Sequence, residues 1–355
     1  MKIKTSFHFA LLSTLCNFVS VKRYYVLLFL LLIGLFLLSL LAGSVPIGID
    51  KVLHILAGDD TQPDALRFIV RESRLPQAVT AALTGSALGT CGLLLQTAFR
   101  NPLAGPSVFG IDSGASLGVA IVMLAIGGSV VTSLGSLTGL MAILLSAFVG
   151  AIVITLILMI ISELVRSHVF LLIVGIMVGY LASSAIVMLN FFSSEESLRS
   201  YMVWGMGNFS GVPMSHLPVF ALLIAIGLTI SLTLIKSLNA ILLGEAYAEN
   251  LGIDTKRLRL QLLFATGLLT AVTTAYCGPI AFLGLAVPHI ARLCLHTDDH
   301  RVLLPSTMLT GAVVALLCNV LCSLSLHGSQ MPLNALTPIV GAPIIIYVIL
   351  KNRTL

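Results

Sequence analysis

The longest stretches of this chain without Asp, Glu, Lys or Arg cover residues 24–49, 75–99, 113–162, 167–194, 200–235, 260–291 and 302–350. A helix of about 20 apolar residues crosses a bilayer, and only helices or closed barrels satisfy their backbone there. The two longest stretches, 113–162 and 302–350, each hold more than two such lengths and so fold back once. Gly127-Gly128-Ser129 and His327-Gly328-Ser329 supply the turns. Stretch 200–235 holds one crossing, from about Leu217 to Leu238, preceded by an amphiphilic connector.

Composition agrees. The 355 residues are 58% hydrophobic and 9% charged, with a mean hydropathy of +1.08. Soluble domains sit nearer about 45–50% apolar and about 25% charged. A water-soluble enzyme and a disordered chain are thereby excluded. The 19 Lys+Arg against 14 Asp+Glu give a net charge of +5, too sparse for a groove that tracks phosphates, so nucleic acid is excluded as a partner. The reading is an all-α polytopic membrane protein surrounded by membrane lipid.

Stretch 260–291 breaks at Cys277-Gly278-Pro279 and counts as one crossing or two, which makes the total nine or ten. The distribution of Lys and Arg decides. With ten crossings and an inner N-terminus, 14 basic residues fall inside and 5 outside, accounting for all 19. With nine, Arg292, Arg301, Lys351 and Arg353 move outside and the asymmetry vanishes. Ten crossings with both termini cytoplasmic is the expectation. Residues 1–23 are read as a cytoplasmic or interfacial extension, because no small-residue cleavage site precedes Tyr24. Residues 24–355 are read as a single ten-helix domain.

Several chemistries lack their residues. No Gly-x-x-x-x-Gly-Lys-Ser/Thr is present, so the chain has no P-loop for ATP. No His-Glu-x-x-His stands for a metalloprotease, and no second acid pairs with Asp112 as a protease dyad. His289, His296 and His300 have helix-compatible spacing but read as a packing cluster near an inner helix end, so no metal ligand is assigned. Cys91, Cys277, Cys294, Cys318 and Cys322 read as small hydrophobes in or beside apolar helices. A carrier driven by protons or sodium needs ionisable groups deep in the bilayer. Asp112 and Glu163 are the nearest candidates, and both are expected at inner boundaries. No catalytic residue is assigned, and energy for uphill transport is expected from another subunit. A secondary carrier or channel acting without an ATPase is the alternative.

Four segments depart from apolar filler. Arg74-Leu75-Pro76 opens a crossing from outside, with Pro in the first turn. Gln96 through Pro106, with Asn101-Pro102-Leu103, makes a tight inner turn, followed by the small-residue run Gly110 through Ser116. Leu243 through Ile253 forms a short amphipathic helix on the inner face, with Glu245 near its N-terminus and Gly252 as its left-handed cap. Gly278 through Arg292 carries Pro279, Pro288, His289 and two glycines in one crossing, the mark of broken helices inside a protein environment. Gly105-Pro106-Ser107-Val108-Phe109-Gly110 is weakly echoed by Gly278-Pro279-Ile280-Ala281-Phe282-Leu283-Gly284, on the opposite membrane side, as a weak inverted repeat would require.

Together with Gly341-Ala342-Pro343, these segments resemble the signature series of the permease family of bacterial ABC importers for iron(III)-siderophores, haem and cobalamin. The resemblance runs in order from about Tyr24 to Arg353. It implies a type II importer subunit of ten helices in the bacterial inner membrane. That subunit pairs with a second copy of itself, with two ATPase subunits inside, and with a periplasmic or lipid-anchored binding protein outside. ATP is then used by the partner ATPase, and the permease binds no cofactor. Gly244, Glu245, Asn250, Leu251 and Gly252 match the family's ATPase-coupling segment. Asn101, Pro102, Leu103, Gly278, Pro279, Pro288, His289 and Arg292 match gating or structural signatures. Arg74 matches an outward arginine that grips acidic residues of the binding protein. The chain departs from the family in having Gln77 where a second basic residue is frequent, and Gln330-Met331-Pro332 where an acid is common.

Overall fold

The computed structural model describes residues 2–59, 61–125, 136–164, 168–324 and 331–352. The two expected turns at 127–129 and 327–329 lie outside them. In chain order the helices are α1 (Lys2–Leu41), α2 (Ile49–Leu56), α3 (Asp64–Phe68), α4 (Leu75–Ala98) and α5 (Ile111–Ala120). Next come α6 (Ser136–Leu164), α7 (His168–Phe192), α8 (Glu195–Gly205), α9 (Leu217–Thr233) and α10 (Ile235–Leu242). The series ends with α11 (Glu245–Asn250), α12 (Thr255–Cys277), α13 (Leu283–Leu295), α14 (His300–Ser323) and α15 (Leu333–Asn352). Single π-helical stretches follow α3 and α5.

Six helices are long and apolar enough to cross a membrane. Among the described residues the pair α9 and α10, bent by 48°, supplies a seventh, and α5, α13 and α15 are shorter apolar helices. The crossing expected to run through Leu238 instead bends after Thr233. There the Leu234 N–H turns back to the Ser231 carbonyl, and α10 continues with Leu238 and Ile241 buried and Lys236 exposed. The break at Cys277-Gly278-Pro279 separates α12 from α13, the second of the two readings open for stretch 260–291.

α4 lies at the centre, where small residues let backbones meet without a hydrophobic drive between helices. A methyl added at Gly85 would sit 2.1 Å from the Gly311 carbonyl on α14, and one at Gly311 would sit 2.1 Å from the Gly85 carbonyl. Farther along, a methyl at Gly92 would fall 1.5 Å from the Gly284 carbonyl on α13. Several buried hydroxyls on the surrounding helices bond within their own turns. Thr266, Thr273, Thr307 and Thr310 each donate to the carbonyl four residues back.

The chain between α4 and α5 does not stay at the inner surface. It climbs until Gly110, with a left-handed φ of 72°, packs beside Gly175 and Gly179 near the middle of α7. One turn on, Gly114 meets Gly150 at the middle of α6. α5 therefore starts partway along the bundle, beside the middles of α6 and α7. α13 begins after the left-handed Phe282 (φ 68°), with Gly284 against Pro106. The two echoed segments thus meet at Gly284 and Pro106, and each leads into a short helix. This placement corrects the expected depth of Asp112. It is buried inside the apolar layer, where its carboxylate accepts a hydrogen bond from Thr274 at 3.0 Å. The depth of acidic groups therefore does not by itself argue against a stand-alone carrier.

Candidate functional site

The inner segment between α10 and α12 is built by two glycines and two charges. Gly244 adopts φ 127°, a region closed to residues with a Cβ, and turns the chain from α10 into α11. Gly252, at φ 81°, closes α11, and the Ile253 N–H returns to the Ala248 carbonyl at 3.0 Å. Glu245 pairs with Arg259 at 3.3 Å, and Arg259 also donates to the Ser162 carbonyl of α6 at 3.3 Å. Glu249 accepts from the Thr255 hydroxyl at 2.8 Å, while Asp254 caps α12 through the Arg257 N–H. Ala248 is buried beneath the short helix, whereas Leu243, Tyr247, Asn250 and Leu251 are exposed. A six-residue helix is thus held rigidly on its inner face and presents apolar and amide groups outward.

Above this segment, the inner ends of α4, α10, α13 and α14 are cross-linked by side chains. Asn239 of α10 accepts from the His300 backbone N–H at 2.8 Å and donates its amide to Asp299 at 2.6 Å. Those two partners fix the amide's orientation, since one can only donate and the ionised carboxylate can only accept. His300 Nδ1, 2.9 Å from Asn239 Oδ1, must then be the donor. In the neutral ring, Nε2 is the acceptor for the Thr97 hydroxyl of α4 at 2.8 Å. Arg100 reaches α10 as well, donating to the Ile241 carbonyl at 3.0 Å. Burial pushes the Asp299 carboxyl up. That effect is more than offset by the Arg301 N–H, the Asn239 amide and the nearby Arg301 and His300, which leave it below the usual carboxylate value.

The inner turn and α13 are tied together beside this cluster. Asn101 Oδ1 accepts from the Leu103 N–H at 2.9 Å, and the Pro102 carbonyl accepts from His289 Nε2 at 2.8 Å. Arg292 donates to Gln96 at 2.5 Å and pairs with Asp298 at 3.3 Å. Pro288 is buried within α13. Gln96, Pro102, His289, Arg292 and Asp298 border a cleft of about 540 Å³ that opens between the 96–102 turn, Leu242 and the end of α13. Two of the three histidines singled out by spacing are therefore committed to helix contacts, and no group of three metal-ligating side chains occurs among the described residues.

Arg74, expected to face outward, points into the protein instead. Only 5% exposed, it donates to the carbonyls of Leu40, Leu41 and Val45, stapling the end of α1 and the chain after it to α4. The expectation of an exposed arginine is corrected by this burial, whose cause is the run of unpaired carbonyls at a helix end. Gln77 joins a polar chain, donating to Asn319 at 2.9 Å, which donates to Ser39 at 2.6 Å. Gly278, at φ 75°, leaves no room for a side chain against the Trp204 carbonyl. The Pro279 carbonyl accepts from Asn334 at 2.6 Å, while Asn334 also donates to the Gly205 carbonyl at 3.1 Å and accepts from the Ala281 N–H at 3.1 Å. Sequence reasoning passed over Asn334, Asn239 and Thr97. The signal at Asn334 is an amide at the second position of an apolar helix, where it must have partners.

Residues 30–351 match the FecCD transport family. The vitamin B12 import system permease protein BtuC of Escherichia coli O127:H6 is 36% identical over 330 residues, covering 93% of this chain and 95% of that protein. Its counterpart in Citrobacter koseri is 36% identical over 309 residues, covering 85% and 91%, and that of Salmonella typhi is 37% identical over 286 residues, covering 80% and 84%. Among solved structures, an inward-facing conformation of a metal-chelate type ABC transporter superposes with a TM-score of 0.79 at 29% identity, covering 93% of this chain and 99% of that one.

Proposed function

This chain belongs to the FecCD transport family, and from that premise we propose that it carries a metal chelate of the cobalamin or ferric-siderophore kind across a bacterial inner membrane, driven by ATP hydrolysis in partner subunits. That it is a permease of the ABC importer type follows from the family and the relatives. The single observation that carries the rest is the likeness to vitamin B12 permeases over 93% of the chain. Cobalamin is accordingly the first ligand to test. The likeness to a metal-chelate transporter supports an iron chelate, siderophore or haem, as the second reading.

In this reading the exposed face of α11, with Tyr247, Asn250 and Leu251, seats on an ATPase subunit, and Gly244, Glu245 and Gly252 hold it there in one orientation. Asn101, Pro102, Leu103, Gly278, Pro279, Pro288, His289 and Arg292 act by fixing the two half-helices, not by touching ligand. The outer docking surface for a binding protein draws on exposed cations such as Arg199 in place of the inward Arg74. Two copies enclose the pathway, and exposed apolar side chains of α7, Tyr180 and Leu181 among them, face lipid or the second copy. Uptake of labelled cobalamin, ferric siderophore and haem in cells with and without this chain tests the proposal. Loss of one ligand's ATP-dependent uptake supports it and fixes the substrate. Uptake that persists without ATP but collapses with the proton gradient would instead favour a secondary carrier.

A further inference from the structure

The inner segment reaches the bundle's centre through α10, which Arg100 also holds by its bond to the Ile241 carbonyl at 3.0 Å. α10, which delivers the chain into α11, holds α14 through Asn239, by way of the His300 N–H and ring, and reaches α4 through the Thr97 hydroxyl on the far side of the same ring. His300 is 1% exposed, so the ring is a buried bridge between three helices. Its polarity is fixed in one direction: Thr97 hydroxyl to Nε2, Nδ1 to Asn239, Asn239 amide to Asp299. Beyond this joint, α4 and α14 meet backbone to backbone at Gly85 and Gly311, which leaves no soft layer to absorb displacement.

We propose that Asn239, His300 and Thr97 form the joint that passes movement of the inner segment to α4 and α14, making them positioning residues for transport. The proposal rests on the ATP-driven reading above. A push on α11 moves α10, and α10 cannot shift without carrying the Asn239–His300 pair and, through it, the inner ends of the two central helices. Without the joint, α10 and α11 would follow the ATPase while α4 and α14 stayed behind, so hydrolysis would continue with little transport.

The test is hydrogen exchange of the permease assembled with its ATPase subunits in lipid vesicles, with and without ATP and vanadate. Wild type, N239L, H300L and the near-isosteric T97V are compared at segments 245–252 and 297–303, together with the rate of ATP hydrolysis. The expected result is an ATP-dependent change at both segments in wild type. In the variants the change at 245–252 is kept and that at 297–303 is lost, with hydrolysis within about twofold of wild type. N239L combined with H300L should do no more than either alone, as for members of one linkage. An unaltered ATP-dependent change at 297–303 in all three single variants would overturn the joint. Absence of any ATP-dependent change at 245–252 in wild type would overturn the ATP-driven reading instead. If N239L and H300L fail to assemble, T97V alone decides, since it removes one hydroxyl and keeps the volume.

Discussion

The carboxylate of Asp112 stands 3.0 Å from the Thr274 hydroxyl, joining the start of a half-helix to α12 in the middle of the apolar layer. A buried acid bonded to a hydroxyl is worth most as a hydrogen-bonding pin, because leaving such a group unpaired costs about 1–3 kcal/mol. Thr274→Val is therefore expected to destabilise the detergent-solubilised protein by about 1–3 kcal/mol. Asp112→Asn, which still accepts the Thr274 proton, should remain within about 1 kcal/mol of wild type. Thermal unfolding of purified variants checks both. A loss in Asp112→Asn as large as in Asp112→Leu would show that the charge, not the bond, matters.

The closest backbone approach in the centre is between Gly92 and Gly284. Since a methyl at Gly92 would fall 1.5 Å from the Gly284 carbonyl, Gly92→Ala must separate α4 from α13 along their whole contact. Overpacking of a rigid core typically costs about 1–3 kcal/mol, and a backbone obstacle belongs at the upper end. Gly34, which has open space around it, is the control: Gly34→Ala should leave the melting temperature unchanged. Equal behaviour of the two variants would contradict the packing described.

Arg74 yields a prediction opposite in kind to that of a docking cation. Its guanidinium serves three carbonyls at once, and hydrogen bonds made by a charged group are worth about 1.5–3 kcal/mol each. Arg74→Lys retains the charge but not the planar fork, so it should destabilise nearly as much as Arg74→Gln. A docking cation would instead tolerate Lys and lose affinity for its partner without losing stability. Melting temperature and binding of the outer partner, measured on the same two variants, separate these outcomes.

What the sequence disclosed followed from forces that act locally. Charge-free runs marked the long apolar helices, and Gly278-Pro279 marked the end of α12, because backbone chemistry and bilayer energetics leave few options there. Gly252 was legible as a left-handed cap for the same reason. Depth and direction were not. Asp112 follows an apolar turn that could lie along the inner surface or climb inward, and only Gly114 against Gly150 and Gly110 beside Gly179 fix it at mid-depth. Arg74 lies at a boundary where an arginine can face water or cap a helix, and the choice depends on the end of α1, more than thirty residues away. Asn239 and Thr97 carry meaning only once His300 is folded between them.

The inner segment supplies the last prediction, which bears most directly on transport. Gly252 holds φ at 81° with open space around its Cα, so a side chain there meets no neighbour and its cost is purely conformational. A residue with a Cβ in that region costs about 1–2 kcal/mol, and a β-branched one more. Gly252→Asn, the residue that best tolerates this conformation, should keep transport near wild type. Gly252→Val should release the cap, free Ile253 from Ala248, and turn the exposed face of α11 away from its partner. Glu245→Gln removes the charge facing Arg259 but keeps an acceptor, and is expected to weaken the segment less than Glu245→Leu. In vesicles holding the assembled importer, Gly252→Val and Glu245→Leu should lower ligand uptake per ATP hydrolysed by about tenfold, equivalent to about 1.4 kcal/mol, with membrane insertion unchanged. The ordering Asn above Val at position 252 is the decisive readout. A segment that acted only as a tether would tolerate both equally, whereas one that must present α11 at a set angle cannot.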